Sequence, residues 1–439
     1  MKKTFVVLLI VMILLSFSAS AEPVRLVVSG NDVPMEILEE YARELGNISI
    51  VLNEKDNTEE LVTEALTHKD NTDLYFLSTN IDPVYIQLRD KGYLMPLEDE
   101  TLLRYADALE PDFQKIVIAN GQLCAIPYDA LVQRTLEVDR ALWAEIGLKD
   151  RAYPDTWEAF MRFMADEYPA LRETHPELCA FDADYSRSLV LLAQNQLYAC
   201  LSEEDTNVDS LWNAFAETLL WYRLTNWTQS YPQEDSRGAR VLFSLRPEPY
   251  IHDDGAHDYM LLGMGETPGT LRVSLNLTAI NPESVHKEEA LALIRLMAER
   301  VPQTTRLVLM QEEHEPVLDE EVEVRWQAAQ QMIEDYDKRI QAEKDAVRQN
   351  ELSAERETYQ QNAVEFYQKY RYIVGPDAIK RFKEAANVGY LISYSPILSH
   401  EETEVLDHLR GEMMQGNIEV GDYVHALRQR WEANLSEGY

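Results

Sequence analysis

Val24-Arg25-Leu26-Val27-Val28-Ser29, running into Gly30-Asn31-Asp32, is the stretch on which the fold turns. A short run dominated by Val and Leu that stops at a Gly-Asn-Asp turn reads as a buried strand. Outward from it, Pro34 to Leu45 repeats apolar residues at helical spacing and Asn47 to Leu52 reads as a second strand. Thr58 to Thr67 comes next as a helix, and Asp73 to Leu77 as a third strand that ends in Ser78-Thr79-Asn80. Strands alternating with helices predict a parallel α/β sheet. Ligands of such sheets lie beyond the carboxyl ends of the strands, where loops and helix N-termini expose backbone N–H groups. Asn31, Asp32, Ser78, Thr79 and Asn80 fall at that edge and are candidate binding residues. Each is equally a common turn former or helix cap, so a purely structural role stands beside the binding one.

At the N-terminus, Lys2 and Lys3 precede an apolar run from Phe5 to Leu15, and Ala19-Ser20-Ala21 supplies a small-residue cleavage pattern ahead of Glu22. The run is short for a bilayer span, so residues 1–21 read as a cleaved secretory signal, with a membrane anchor as the alternative. The expected product is a secreted or periplasmic soluble chain of residues 22–439. No Cys comes after the small residues, so a lipid anchor is not expected.

A formal net charge of −37 repels phosphate backbones and anionic lipid surfaces, and no basic patch offsets it, which argues against nucleic-acid binding. Forty-six per cent hydrophobic and 27 % charged residues fit a large globular protein rather than a disordered one. The three cysteines are Cys124, Cys179 and Cys200. An oxidising compartment permits one bridge, for which Cys179 and Cys200 are the better-placed pair; three buried thiols are the alternative.

Three phrases occur in a telling order: Asp90-Lys91-Gly92-Tyr93-Leu94-Met95-Pro96-Leu97, then Asn120-Gly121-Gln122-Leu123-Cys124-Ala125-Ile126-Pro127-Tyr128-Asp129, then Pro154-Asp155-Thr156-Trp157. Together they resemble the extracellular, family 1-like solute-binding proteins of ABC importers, the group that includes the maltose-binding-like receptors. Lys287-Glu288-Glu289-Ala290-Leu291 is similar to a helix of that family, and Gly416-Asn417-Ile418-Glu419-Val420 to its closing segment.

The resemblance implies a two-lobed, periplasmic-binding-protein-like (type II) α/β fold. A first lobe is expected from residues 22–127 plus about 270–317, a second from 128–269 plus about 371–439, and a helical hairpin insertion at 318–370. Residues 126–130 would form the first crossover and present Tyr128 and Asp129 to a solute. A Tyr ring stacks on a sugar and an Asp accepts from its hydroxyls. The family's aromatic-aromatic-Asn segment is replaced here by Leu136-Glu137-Val138-Asp139. Val241 to Pro247 resembles the strand and turn that carry second-lobe contacts, which nominates Arg246 and Tyr250, with a structural ion pair as the alternative for Arg246. Trp227 is a weaker candidate for a sugar platform.

Residues 318–374 contain no Gly or Pro and are dense in helix formers. As one rod they would span roughly 80 Å, so two helices turning near Asn350 to Ser353 are expected. Enzymatic motifs are missing: there is no Gly-x-Ser-x-Gly, His-Glu-x-x-His or phosphate loop. His252-Asp253-Asp254 with His257-Asp258 reads better as a solvated loop than as a metal site, and Asp182-x-Asp184 lacks the Gly and Glu of a calcium loop.

The reading is therefore a non-enzymatic, monomeric receptor, without cofactor or metal, that closes on a small solute, expected to be a carbohydrate, and delivers it to an ABC permease. The alternative is an extracellular scaffold or adhesion protein that uses the hairpin to bind a protein partner.

Overall fold

Val24–Gly30 is the middle of three parallel strands, flanked by Ile48–Leu52 and Leu74–Ser78. The computed structural model describes residues 23–30, 33–53, 67, 71–79, 84–202, 206–232, 239–253, 255–392 and 400–436. Asn31, Asp32, Asn80, the expected signal segment 1–21 and nearly all of the expected Thr58–Thr67 helix lie outside them.

The chain packs as two units, Met1–Asp129 with Leu275–Val301, and Ala130–Ser274 with Pro302–Tyr439. Relative to the expected boundaries, the returning segment of the first unit ends sooner, because the helix Gln303–Leu309 and the chain beyond it group with the second unit.

In the first unit, Leu74–Ser78 pairs on its other side, antiparallel, with the later half of the long strand Leu271–Ile280, Ser78 opposite Asn276. The helix Met35–Leu45 turns Leu38 and Ala42 inward and ends at Gly46 in the left-handed conformation. Gly30 is required for a different reason. Its φ is +138°, and a Cβ there would lie 1.8 Å from the carbonyl oxygen of Phe76. Asp73 knots the strand entrances: its carboxylate accepts from Val27 N at 2.8 Å and from Ser284 Oγ at 2.5 Å.

The second unit is built on Thr135–Asp139, with Phe243–Arg246 and His257–Met260 antiparallel on either side. Strand alternation sends Leu136, Val138, Phe243, Leu245 and Met260 into one core. There Phe243 meets Phe160, Phe163 and Phe181 at ring separations of 5.4 to 6.0 Å. The helices Ser186–Leu201 and Val208–Leu224 close that core with Leu189, Val190, Ala193, Trp212 and Phe215. The earlier half of Leu271–Ile280 pairs in parallel with Tyr390–Ile392.

The hairpin consists of Glu320–Ala342 and Ala346–Tyr370, joined at residues 343–345 rather than at Asn350 to Ser353. Capping explains the difference. Asp345 accepts from the backbone N–H of Val347 and Arg348, and Glu343 accepts from Lys344 and Asp345, so these two carboxylates supply the turn that a Gly or Pro usually provides. Trp326 stacks on Tyr367 at 4.7 Å across the pair.

The three cysteines are buried, unbridged thiols, the second of the two states left open by the sequence. Cys179 sits in a short edge strand and Cys200 near the end of the Ser186–Leu201 helix. Among the described residues no helix is long and apolar enough to cross a membrane.

Candidate functional site

In the first unit the carboxyl edge of the parallel strands places Ser78, Tyr128 and Asp129 together. Ser78 lies opposite Asn276 on the neighbouring strand, and Asn276 Nδ2 donates to Asp129 Oδ2 at 3.2 Å. Tyr128 stands edge-on to Phe76, with ring centroids 5.6 Å apart. Phe76 and Ser78 are two apart on one strand and so share a face. Tyr105 fixes the segment from behind, donating to the carbonyl of Pro127 at 2.6 Å. Tyr128, Asp129 and Asn276 are half-buried, which leaves a phenol ring, a carboxylate and an amide at one accessible edge.

Thr79 has another use. Its backbone N–H donates to Leu275 O and its Oγ1 accepts from Leu275 N, both at 3.0 Å, so the hydroxyl extends the antiparallel ladder by one rung. The residue is buried, and the structural role is the one it fills. Asn276 is a candidate site residue that the sequence motifs do not nominate; its signal is a half-buried amide between Leu275 and Leu277 in a strand whose other residues are buried.

In the second unit the core sheet has a polar reverse face. The register aligns Ser244, Glu137 and Tyr259 in one row, with Arg246 opposite Thr135. Glu137 is fully buried, and its Oε2 accepts from Arg246 Nε at 2.6 Å and from Ser244 Oγ at 3.1 Å. Its Oε1 and the hydroxyl of Tyr259 have no hydrogen-bond partner among the described residues. Burial raises the Glu137 carboxyl above the usual range, although Arg246 and Ser244 pull it down, and burial raises the Tyr259 phenol as well. Arg246 keeps 37 % of its side chain exposed, although its Nε is held on Glu137 and its Nη2 is buried, so the cation is oriented from within and only part of it reaches the surface.

Tyr250 does not join it. The residue is 1 % exposed, its ring lies 4.6 Å from that of Phe382, and its hydroxyl is 3.4 Å from Glu248 Oε1. It is a core aromatic rather than a contact for solute. Trp227 likewise packs on Tyr222 at 5.0 Å and donates its indole N–H to Tyr222 O.

Of that His and Asp cluster, Asp253 and Asp258 are held in ion pairs instead of standing solvated: the Asp253 side chain is buried on Arg381, and Asp258, on the strand His257–Met260, binds Arg140 and Tyr153, while Asp254 lies outside the described residues. Among the described residues no three His, Cys, Asp or Glu side chains are grouped to hold a metal ion.

No family model matches the chain, and no curated protein matches its sequence. Solved structures do. MsmE of Bacillus subtilis, in an open conformation, aligns over 95 % of this chain and 98 % of its own at 11 % identity and a TM-score of 0.59. The sugar-binding protein MalE of Xanthomonas citri aligns over 94 % and 98 % at 14 % identity and a TM-score of 0.53. The galacto-N-biose/lacto-N-biose I-binding protein of the ABC transporter of Bifidobacterium longum aligns over 95 % and 98 % at 12 % identity and a TM-score of 0.52. At such identities the likeness is one of architecture: the chain has the two-lobed, periplasmic-binding-protein-like α/β fold of these proteins.

Proposed function

We propose that the chain is an extracytoplasmic receptor that captures a carbohydrate by lobe closure and delivers it to the permease of an ABC importer. The observation that carries the reading is the likeness along nearly the full length of both chains to proteins named for sugar binding, MalE of Xanthomonas citri among them. Fold alone does not specify chemistry, so the site residues must supply it. Tyr128 offers a ring face and a hydroxyl, Asp129 accepts from vicinal hydroxyls, and Asn276 donates or accepts beside them, whereas Ser78 is itself buried. Arg246 supplies directed N–H donors from the second lobe. On this reading the chain is a monomeric binding protein rather than an enzyme, and residues 1–21 are removed on export.

The test is thermal melting of residues 22–439 against mono- and oligosaccharides, amino acids and peptides, after unfolding and refolding to strip co-purified solute. A solute at about 1,000 times its Kd stabilises the fold by about 4 kcal/mol. The expected result is a shift confined to a set of sugars and abolished by Tyr128→Ala with Asp129→Asn. A shift with amino acids or peptides only, or with nothing in the panel, would overturn the carbohydrate reading, and the second of these outcomes would move attention to the hairpin as a protein-binding arm.

A further inference from the structure

Arg272 is 7 % exposed, in a chain with 77 carboxylates, and among the described residues none forms an ion pair with it. Its side chain makes a single hydrogen bond among the described residues, from Nη1 to the carbonyl of Leu192 at 3.2 Å. A guanidinium carries five N–H donors, and a buried charge without a counter-charge is strongly unfavourable. Burial lowers the group's pKa to about 10, which still leaves it cationic at neutral pH.

The guanidinium borders a cavity of about 30 Å³. Thr135, Trp157, Gln196 and Arg134 line it beside Arg272, with apolar walls from Leu192 and Leu262. The indole N–H of Trp157 is buried and has no hydrogen-bond partner among the described residues. Gln196 is buried too, and among the described residues its amide makes a single long contact, 3.7 Å, to Cys200 Sγ. The lining thus combines the positive charge of Arg272 and the unsatisfied indole N–H of Trp157 with no carboxylate.

Size narrows the ligand. The volume is about twice what one water requires, which excludes sulfate, phosphate and any sugar. A water balances the donors but leaves the charge uncompensated. We propose that this cavity is a binding site for a monatomic anion, chloride in physiological media, held by Arg272 with Trp157 and Gln196. The site lies wholly within the second unit and is independent of solute capture.

The experiment uses residues 22–439 in chloride-free sodium gluconate, with sodium chloride or sodium bromide replacing gluconate at constant ionic strength. Chloride and bromide should raise the melting temperature in a saturable way, and crystals soaked in bromide should show an anomalous peak in the cavity beside Arg272. Arg272→Met should abolish the halide response. Where that variant fails to fold, Trp157→Phe keeps the ring, removes the N–H, and should raise the half-saturating halide concentration about tenfold. A cavity holding only water, a melting temperature indifferent to halide, or a response unchanged in Trp157→Phe would each overturn the assignment.

Discussion

Glu137 is wholly buried, and it binds the Nε of Arg246 at 2.6 Å from beneath a side chain that is itself 37 % exposed. A carboxylate taken out of water in this way serves to orient a cation, and the cation in turn partly offsets the upward push that burial gives the carboxyl.

Removing Arg246 should therefore expose the cost of burying Glu137. Because folding raises its carboxyl, the folded state holds the proton more tightly than the unfolded one, and stability falls as pH rises from the ordinary Glu value through the folded one. Arg246→Met withdraws a stabiliser of the charged form, which widens that window upward. Urea unfolding should show a loss of about 1–2 kcal/mol at pH 8, moderated by the exposure of the pair, and a much smaller loss at pH 5. Glu137→Gln should flatten this part of the pH dependence. An equal loss at both pH values would show that Arg246 acts through packing alone.

Gly30 admits no side chain. Gly30→Ala forces a methyl group against the Phe76 carbonyl and places a Cβ at φ +138°. Chemical denaturation should report a loss of about 3 kcal/mol or more, or no cooperative fold at all. A change under about 1 kcal/mol would mean that the strands Val24–Gly30 and Leu74–Ser78 separate more readily than their register implies.

The thiols give a direct chemical test. Cys124, Cys179 and Cys200 are buried, and burial raises the thiols of Cys124 and Cys179. Thiolate is the reactive form, so native protein at pH 8 should resist iodoacetamide while denatured, unreduced protein takes up three adducts. Only one adduct after denaturation would reveal a bridge.

These contrasts show which features a linear reading can reach. The strands of the first unit are legible because β-branched and leucine runs stop abruptly at Gly-Asn-Asp and Ser-Thr-Asn. Glu137 is visible only as a departure from an aromatic pattern. Its alternation between Leu136 and Val138 places it on the other face of the strand, but that this face is covered depends on Arg246, 109 residues away. Tyr250 misleads in the opposite direction, since an aromatic after a strand cannot be told from a core residue until Phe382 arrives to cover it. The hairpin turn is written in the sequence as an Asp cap, a weaker signal than the Gly or Pro that is absent there.

The same hairpin supplies the last prediction. Across Glu320–Ala342 and Ala346–Tyr370, the buried side chains are Val322, Ala329 and Leu352. The pair is held mainly by its own contacts: Trp326 on Tyr367, Tyr367 to Glu323 at 2.6 Å, and Arg356 to Asp337 at 3.0 Å. Its two ends meet at a short ladder, Val317 opposite Val374 and Leu318 opposite Tyr372, so a brief turn can reconnect them. An element with so little buried apolar surface contributes little to the body that carries it. Replacing residues 321–369 with a Gly-Ser turn should lower the melting temperature by only a few degrees and leave any sugar-induced shift intact. Loss of the shift would place the hairpin in solute capture, and loss of folding would make it part of the core of the second unit.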